Sequence, residues 1–189
     1  MYSFTNDYSE GAHPRILQAL VDTNLKQTAG YGEDEFCLEA AELLKTRIGK
    51  TDLDIHFISG GTQTNLIAIS AFLRPHEAVI APVTGHIEVH ETGAIEATGH
   101  KIIGVVGHEG KLRPVDVQKA LDSHVDEHMV KPKLVYISNA TEIGSLYTKG
   151  ELEELSSFCK RNKLILFMDG ARLGSALTSS ENDLNLNDL

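Results

Sequence analysis

The stretch Leu164-Ile165-Leu166-Phe167-Met168-Asp169-Gly170-Ala171-Arg172 constrains this chain most. Five consecutive apolar residues are too short for a packed helix of ordinary length. They suit a strand covered on both faces, the pattern of a central parallel strand rather than of a half-solvated antiparallel one. Open α/β sheets bind ligands beyond the carboxyl ends of their strands, so the acid, glycine and arginine that close the run fall where chemistry would sit. Asp169 and Arg172 are therefore candidates for one site. The plainer alternative is that Asp169 caps the next helix and Arg172 joins a surface ion pair.

The same grammar recurs upstream. Ile55-His56-Phe57-Ile58, Ala78-Val79-Ile80-Ala81, Lys101 to Val106 and Lys133-Leu134-Val135-Tyr136-Ile137 each read as a strand. Helical patterns intervene: after Pro14, through Leu38 to Ile48, Leu66 to Leu73, around Val115 to Leu121, and Glu151 to Cys159. Glu88, His90, Glu91 and Thr92 are also placed in a helix. Strand and helix alternating in this way predict an α/β fold, a mostly parallel central sheet with helices on both faces. Residues 1–30, polar and turn-rich apart from the short pattern after Pro14, form a lead-in. No repeat or low-complexity linker divides the rest.

Composition narrows the partners. A formal charge of -10 over 189 residues, with no basic-aromatic array, argues against nucleic acid and anionic membrane, and no apolar run is long enough for a transmembrane helix. The first residues, from Met1 to Asp7, lack the basic and apolar segments of a signal peptide, so a cytoplasmic location is expected. Cys37 and Cys159 sit in helical patterns without Cys-x-x-Cys spacing, which predicts two reduced, packed thiols. No metal is expected: the His and Glu residues at 86–91 do not form His-Glu-x-x-His, and His124 and His128, four apart, are flanked by acids at a fraying helix end.

Three turns carry candidate chemistry. Ser59-Gly60-Gly61-Thr62 between a strand and a helix has the order of an anion site, because glycines admit a ligand to the backbone and the helix amino terminus favours negative charge. It matches neither Gly-x-Gly-x-x-Gly nor the Walker pattern, and a plain Thr-capped helix is the alternative. Thr84-Gly85-His86 puts an imidazole just past a strand, suited to covering a planar ligand or moving a proton. Gly30-Tyr31-Gly32 frames an aromatic ring that either faces a ligand or partner subunit or anchors its loop.

Taken together, Tyr31-Gly32-Glu33-Asp34, Ser59-Gly60-Gly61-Thr62 with Asn65, Thr84-Gly85-His86 with Glu91, and Asp169-Gly170-Ala171-Arg172-Leu173 resemble the aromatic amino acid beta-eliminating lyase/threonine aldolase family, closest to its low-specificity threonine aldolase-like members. The resemblance implies the major-domain portion of a fold type I pyridoxal-phosphate enzyme. It implies pyridoxal 5'-phosphate as cofactor, with Gly61 and Thr62 at its phosphate, His86 stacked on the pyridine ring and taking part in proton handling, and Asp169 paired with the ring nitrogen. Arg172 would meet a cofactor oxygen or the substrate carboxylate, and Tyr31 would complete the substrate site across a subunit boundary of a homodimer or homotetramer. Cleavage of a small β-hydroxy amino acid such as threonine or allo-threonine to glycine and an aldehyde is the implied reaction, β-elimination from an amino acid the first alternative, and a noncatalytic interaction or regulatory role one of another class.

The chain departs from the family's wording in places. Asn6 precedes Asp7 where a serine is common, and Ser138-Asn139-Ala140-Thr141-Glu142 is altered. Chemistry of this kind needs a lysine amine to hold the cofactor aldehyde, and no lysine follows Lys163, which opens the Leu164 run at the end away from Asp169. The expectation is that residues 1–189 are an incomplete catalytic domain, apparently truncated, without the small carboxyl-terminal domain and inactive by itself.

Overall fold

The computed structural model describes residues 3–189; Met1 and Tyr2, which open the stretch read above for a signal peptide, lie outside them. The chain runs α1 (Pro14–Thr23), α2 (Glu35–Ile48), α3 (Gly61–Phe72), β1 (Glu77–Pro82), α4 (His86–Val89), β2 (Ile102–Val105), α5 (Pro114–Asp122), β3 (Lys131–Ser138), α6 (Lys149–Arg161), β4 (Ile165–Asp169) and α7 (Leu173–Leu177), with 3-10 turns at Glu96–Thr98 and Leu186–Asp188. The four strands pair in parallel in the order β2-β1-β3-β4. From β1 the chain leaves to one side for β2 and returns on the other as β3, so the loops leaving β1 and β3 part company at their carboxyl ends. That divergence opens the crevice in which such sheets bind ligands.

Side-chain alternation divides the core into two layers. Ala78 and Ile80 of β1 join Val135 and Ile137 of β3 against Val117, Leu155 and Phe158 from α5 and α6. Val79 and Ala81 turn the other way with Leu134 and Tyr136, onto Ile69 of α3, Leu73 just past its end, and Ile87 and Ile95. Every residue of β1 is buried, as a strand enclosed on both faces and both edges requires. The expected parallel sheet with helices on both faces is what the chain forms. Its cysteines are free; Cys159 is buried, and burial pushes its thiol up to about 11.

Four expectations need correction. The strand before Asp169 is at the edge of the sheet, and all five of its residues are only half-buried. Leu166 and Met168 pack on one core layer and Ile165 and Phe167 on the other, so the apolar run correctly reports two covered faces. It carries no information about edges, because a strand's edge groups are backbone. Second, 55–58 forms no ladder. Its side chains and those of Ile165, Leu166 and Phe167 line one apolar cavity of about 960 Å³, and β propensity without a paired edge leaves a segment irregular. Third, the helix at 86 ends at Val89, leaving His90, Glu91 and Thr92 outside it, with Thr92 at φ 54°. Fourth, the cap before α3 is Gly60 without a side-chain hydrogen bond, not a threonine.

α6 shows how local chemistry starts a helix here. Thr148 accepts from the Glu151 amide, while the Glu151 carboxylate accepts from the Thr148 amide, satisfying two donors that a helix start leaves open. Thr148→Ala is expected to lower stability by ~1 kcal/mol, read as a drop in thermal midpoint of roughly 2–4 °C. An unchanged midpoint would mean that the packing of Leu152 and Leu155 alone holds the helix. No helix among the described residues is long and apolar enough to cross a membrane.

Candidate active site

At the carboxyl end of the sheet, five segments converge on a cavity of about 570 Å³. α3 points its amino terminus there. Its first amides, at Gly61, Thr62 and Gln63, have no acceptor among the described residues, since Thr64 is the first to bond back, to the Gly60 carbonyl. A Cβ built on Gly61 would meet nothing within 4 Å, so the backbone itself faces open space. From β1 the chain turns through Gly85, where a Cβ would lie 2.9 Å from the Pro82 carbonyl oxygen, and delivers His86 to the cavity wall. β3 contributes Ser138 and the loop residues Ala140 and Glu142; β4 contributes Asp169, with Arg172 just beyond it. Asp7 and Tyr8 close the rim from the lead-in.

Hydrogen bonds lock the acids in place. Asp169 Oδ2 accepts from the Tyr136 hydroxyl at 2.8 Å and from Asn65 Nδ2 at 3.1 Å, and its Oδ1 accepts from the Ala171 amide at 2.9 Å. Burial first, and then the negative charge of Asp169, drive the Tyr136 hydroxyl far above its ordinary pKa, so it stays a neutral donor. His86 Nδ1 lies 2.9 Å from Glu91 Oε1, which also accepts from Asn65 Nδ2 at 2.7 Å. Glu142 Oε1 accepts from the His86 amide and from Ser138 Oγ, at 2.8 and 2.6 Å. Arg172 makes a two-pronged pair with Asp7, Nε to Oδ2 at 2.6 Å and Nη2 to Oδ1 at 3.0 Å. The guanidinium holds the Asp7 carboxyl below its usual range and is itself raised by that hydrogen bond. Arg172 Nη1 has no hydrogen-bond acceptor among the described residues.

Five of the six residues singled out from the sequence therefore meet at one cavity: Gly61, Thr62, His86, Asp169 and Arg172. Tyr31 does not. It sits fully exposed at φ 64° beside the separate apolar cavity, neither reaching this site nor anchoring its loop by burial. Of the plain alternatives, the arginine does hold a surface acid, but Asp169 does not cap the next helix: its carboxylate closes the Ala171 turn, and the residue that precedes α7 is Arg172, which makes no side-chain cap bond. His124 and His128 go to different partners, the Ala120 carbonyl and Asp126.

Sequence reasoning passed over Tyr136, Ser138, Glu142 and Asp7. Strand alternation puts Tyr136 on the α3 face two residues from the strand end, a signal that was available. The Asp7–Arg172 pair spans 165 residues and has no local signature.

The fold and this crevice define a class, the fold type I pyridoxal-phosphate enzymes; an aromatic aminotransferase from Pyrococcus horikoshii, 22% identical, shares the fold with a TM-score of 0.71 over 93% of this chain and 46% of its own. The chain belongs to the beta-eliminating lyase family, whose model matches residues 9–185. It is 34% identical over 175 residues to the low specificity L-threonine aldolase of a Pseudomonas species, covering 92% of this chain and 50% of that protein. The structure of a threonine aldolase from Leishmania major is 58% identical, with a TM-score of 0.98, covering all of this chain and 55% of that one. The chain thus spans about half the length of the relatives it matches.

Proposed function

We propose that this chain is the cofactor-binding part of a pyridoxal-phosphate-dependent lyase that cleaves a small β-hydroxy amino acid, threonine or allo-threonine, to glycine and an aldehyde. One observation carries the reading: uncapped helix amides, an imidazole and a hydrogen-bonded carboxylate border a single cavity. The family membership and the threonine aldolases among its relatives support it.

The residues present fit the cofactor. Gly61 and Thr62 offer free amides at the positive end of a twelve-residue helix, with open space where a Cβ would stand, suited to a phosphate. Asp169, held by Tyr136 and Asn65, keeps an anionic carboxylate at the cavity to favour a protonated ring nitrogen. Bound there, pyridoxal phosphate supplies an electron sink for the bond that breaks. His86, on the cavity wall, would cover the ring of the bound cofactor and would move a proton at the substrate's β-hydroxyl through its Nε2, which makes no hydrogen bond among the described residues. Arg172 orients an anionic oxygen, a role for which Asp7 now competes. Among the described residues no lysine lines the cavity, so they hold the cofactor by reversible contacts only. Tyr31, exposed on its loop, completes the substrate site from the second subunit of a homo-oligomer.

The test is product analysis on the full-length protein loaded with cofactor, offered threonine and allo-threonine. Glycine and acetaldehyde in equal amounts are expected. Ammonia and a keto acid would instead assign β-elimination, the activity in the family's name, and neither product pair would sink the lyase reading.

A further inference from the structure

We propose that Glu91 is a positioning residue that fixes His86 in one tautomer, with the proton on Nδ1, and that Asn65 ties this setting to Asp169. The proposal gives His86 Nε2 its use only through the reading above, but its geometry stands without it.

The Glu91 side chain is wholly buried, with Oε1 placed between two groups, His86 Nδ1 at 2.9 Å and Asn65 Nδ2 at 2.7 Å. Asn65, itself buried, faces a second carboxylate as well, Asp169 Oδ2 at 3.1 Å. Only the amino end of an amide can face two carboxylate oxygens, because its oxygen there would make three acceptors in contact. The orientation of Asn65 is therefore forced, and its two hydrogens are shared out, one to each acid. Glu91 Oε1 already accepts from Asn65, and an ionised carboxylate has no hydrogen to give, so the contact with Nδ1 requires the imidazole to donate.

Main-chain contacts leave the ring little other choice. Glu142 accepts the His86 amide, pinning the backbone, and Glu91 then removes the remaining freedom of the side chain. The neighbouring His90 ring, 5.6 Å away between centroids and tilted by 52°, makes no hydrogen bond to His86. What results is a continuous line, His86–Glu91–Asn65–Asp169–Tyr136, in which α3 supplies both the free amides at the cavity and the amide that joins its two acids. Among the described residues Glu91 Oε2 has no hydrogen-bond partner, so there Oε1 alone sustains the arrangement.

The tautomer is directly readable in this chain without cofactor, by long-range proton–nitrogen NMR of the ¹⁵N-labelled imidazoles above their titration range. His86 is expected to favour Nδ1–H by at least about tenfold, or about 1.4 kcal/mol. Glu91→Gln should keep that preference, since the same forced orientation of Asn65 directs the glutamine oxygen to Nδ1. Glu91→Leu should abolish it while His108 and His128 remain unchanged. A wild-type His86 protonated on Nε2 overturns the proposal by itself, whether or not the leucine variant folds, as does a folded Glu91→Leu chain with the tautomer retained. Loss of the lyase reading in product analysis would leave these spectra unaffected.

Discussion

Replacing Asp169 with alanine is expected to cut affinity for pyridoxal phosphate by about tenfold to a hundredfold, the range that a charge-assisted hydrogen bond of ~1.5–3 kcal/mol spans. The measurement is an absorbance titration of this chain with the cofactor. Two further consequences follow from the contacts. The Tyr136 hydroxyl loses its acceptor at 2.8 Å and Asn65 loses one of its two, so stability falls as well, by ~1–3 kcal/mol for the buried hydroxyl. Asp169→Asn separates the effects: it keeps the shape and one accepting oxygen, preserving most of the stability, but removes the charge. In the full-length protein the asparagine variant should lose ~100-fold or more in turnover, ~2.7 kcal/mol of barrier, because a neutral amide does not favour a protonated ring nitrogen. Cofactor affinity and turnover equal to wild type in both variants would place the ring-nitrogen partner elsewhere.

Ile80→Ala should destabilise the fold by ~2–5 kcal/mol. Ile80 is fully buried in the middle of β1, with Ile103 of β2 and Val135 of β3 beside it in the sheet and the α5 and α6 layer over it. Neighbouring strands cannot collapse into the void without breaking their ladders, which keeps the cost toward the upper part of that range. A domain of this size has roughly 5–15 kcal/mol in all, so the variant should unfold at markedly lower urea with an unchanged slope. Val106→Ala, just past β2 and largely exposed, should stay within about 0.5 kcal/mol and serves as the control. Equal midpoints for the two variants would contradict the assignment of β1 to the centre.

The sequence by itself determined the layers. Unbroken apolar runs at 78–81, 134–137 and 164–168 report strands with both faces covered, and helical patterns between them require parallel crossovers, since a parallel pair cannot be joined by a tight turn. The glycine-bearing word at 84–86 and the Asp169-Gly170-Ala171-Arg172 word marked strand ends, the word at 59–62 marked the start of a helix, and each is a local pattern of residue types. Strand order and edges were decided only in the tertiary structure. Residues 164–168 and 78–81 are alike in hydrophobicity, yet one strand is at the edge and the other at the centre, because edges are made of backbone groups that every residue shares. The same limit hid 55–58, whose composition suits a strand that has no neighbour to pair with. It also hid the bonds of the site: Asp7 to Arg172, Asn65 to Asp169, and Tyr136 to Asp169 join residues 33 to 165 positions apart. A sequence pattern reports which way a side chain faces within a few residues. Which distant group it meets depends on the register and stacking of whole elements, and those are settled only when the layers pack.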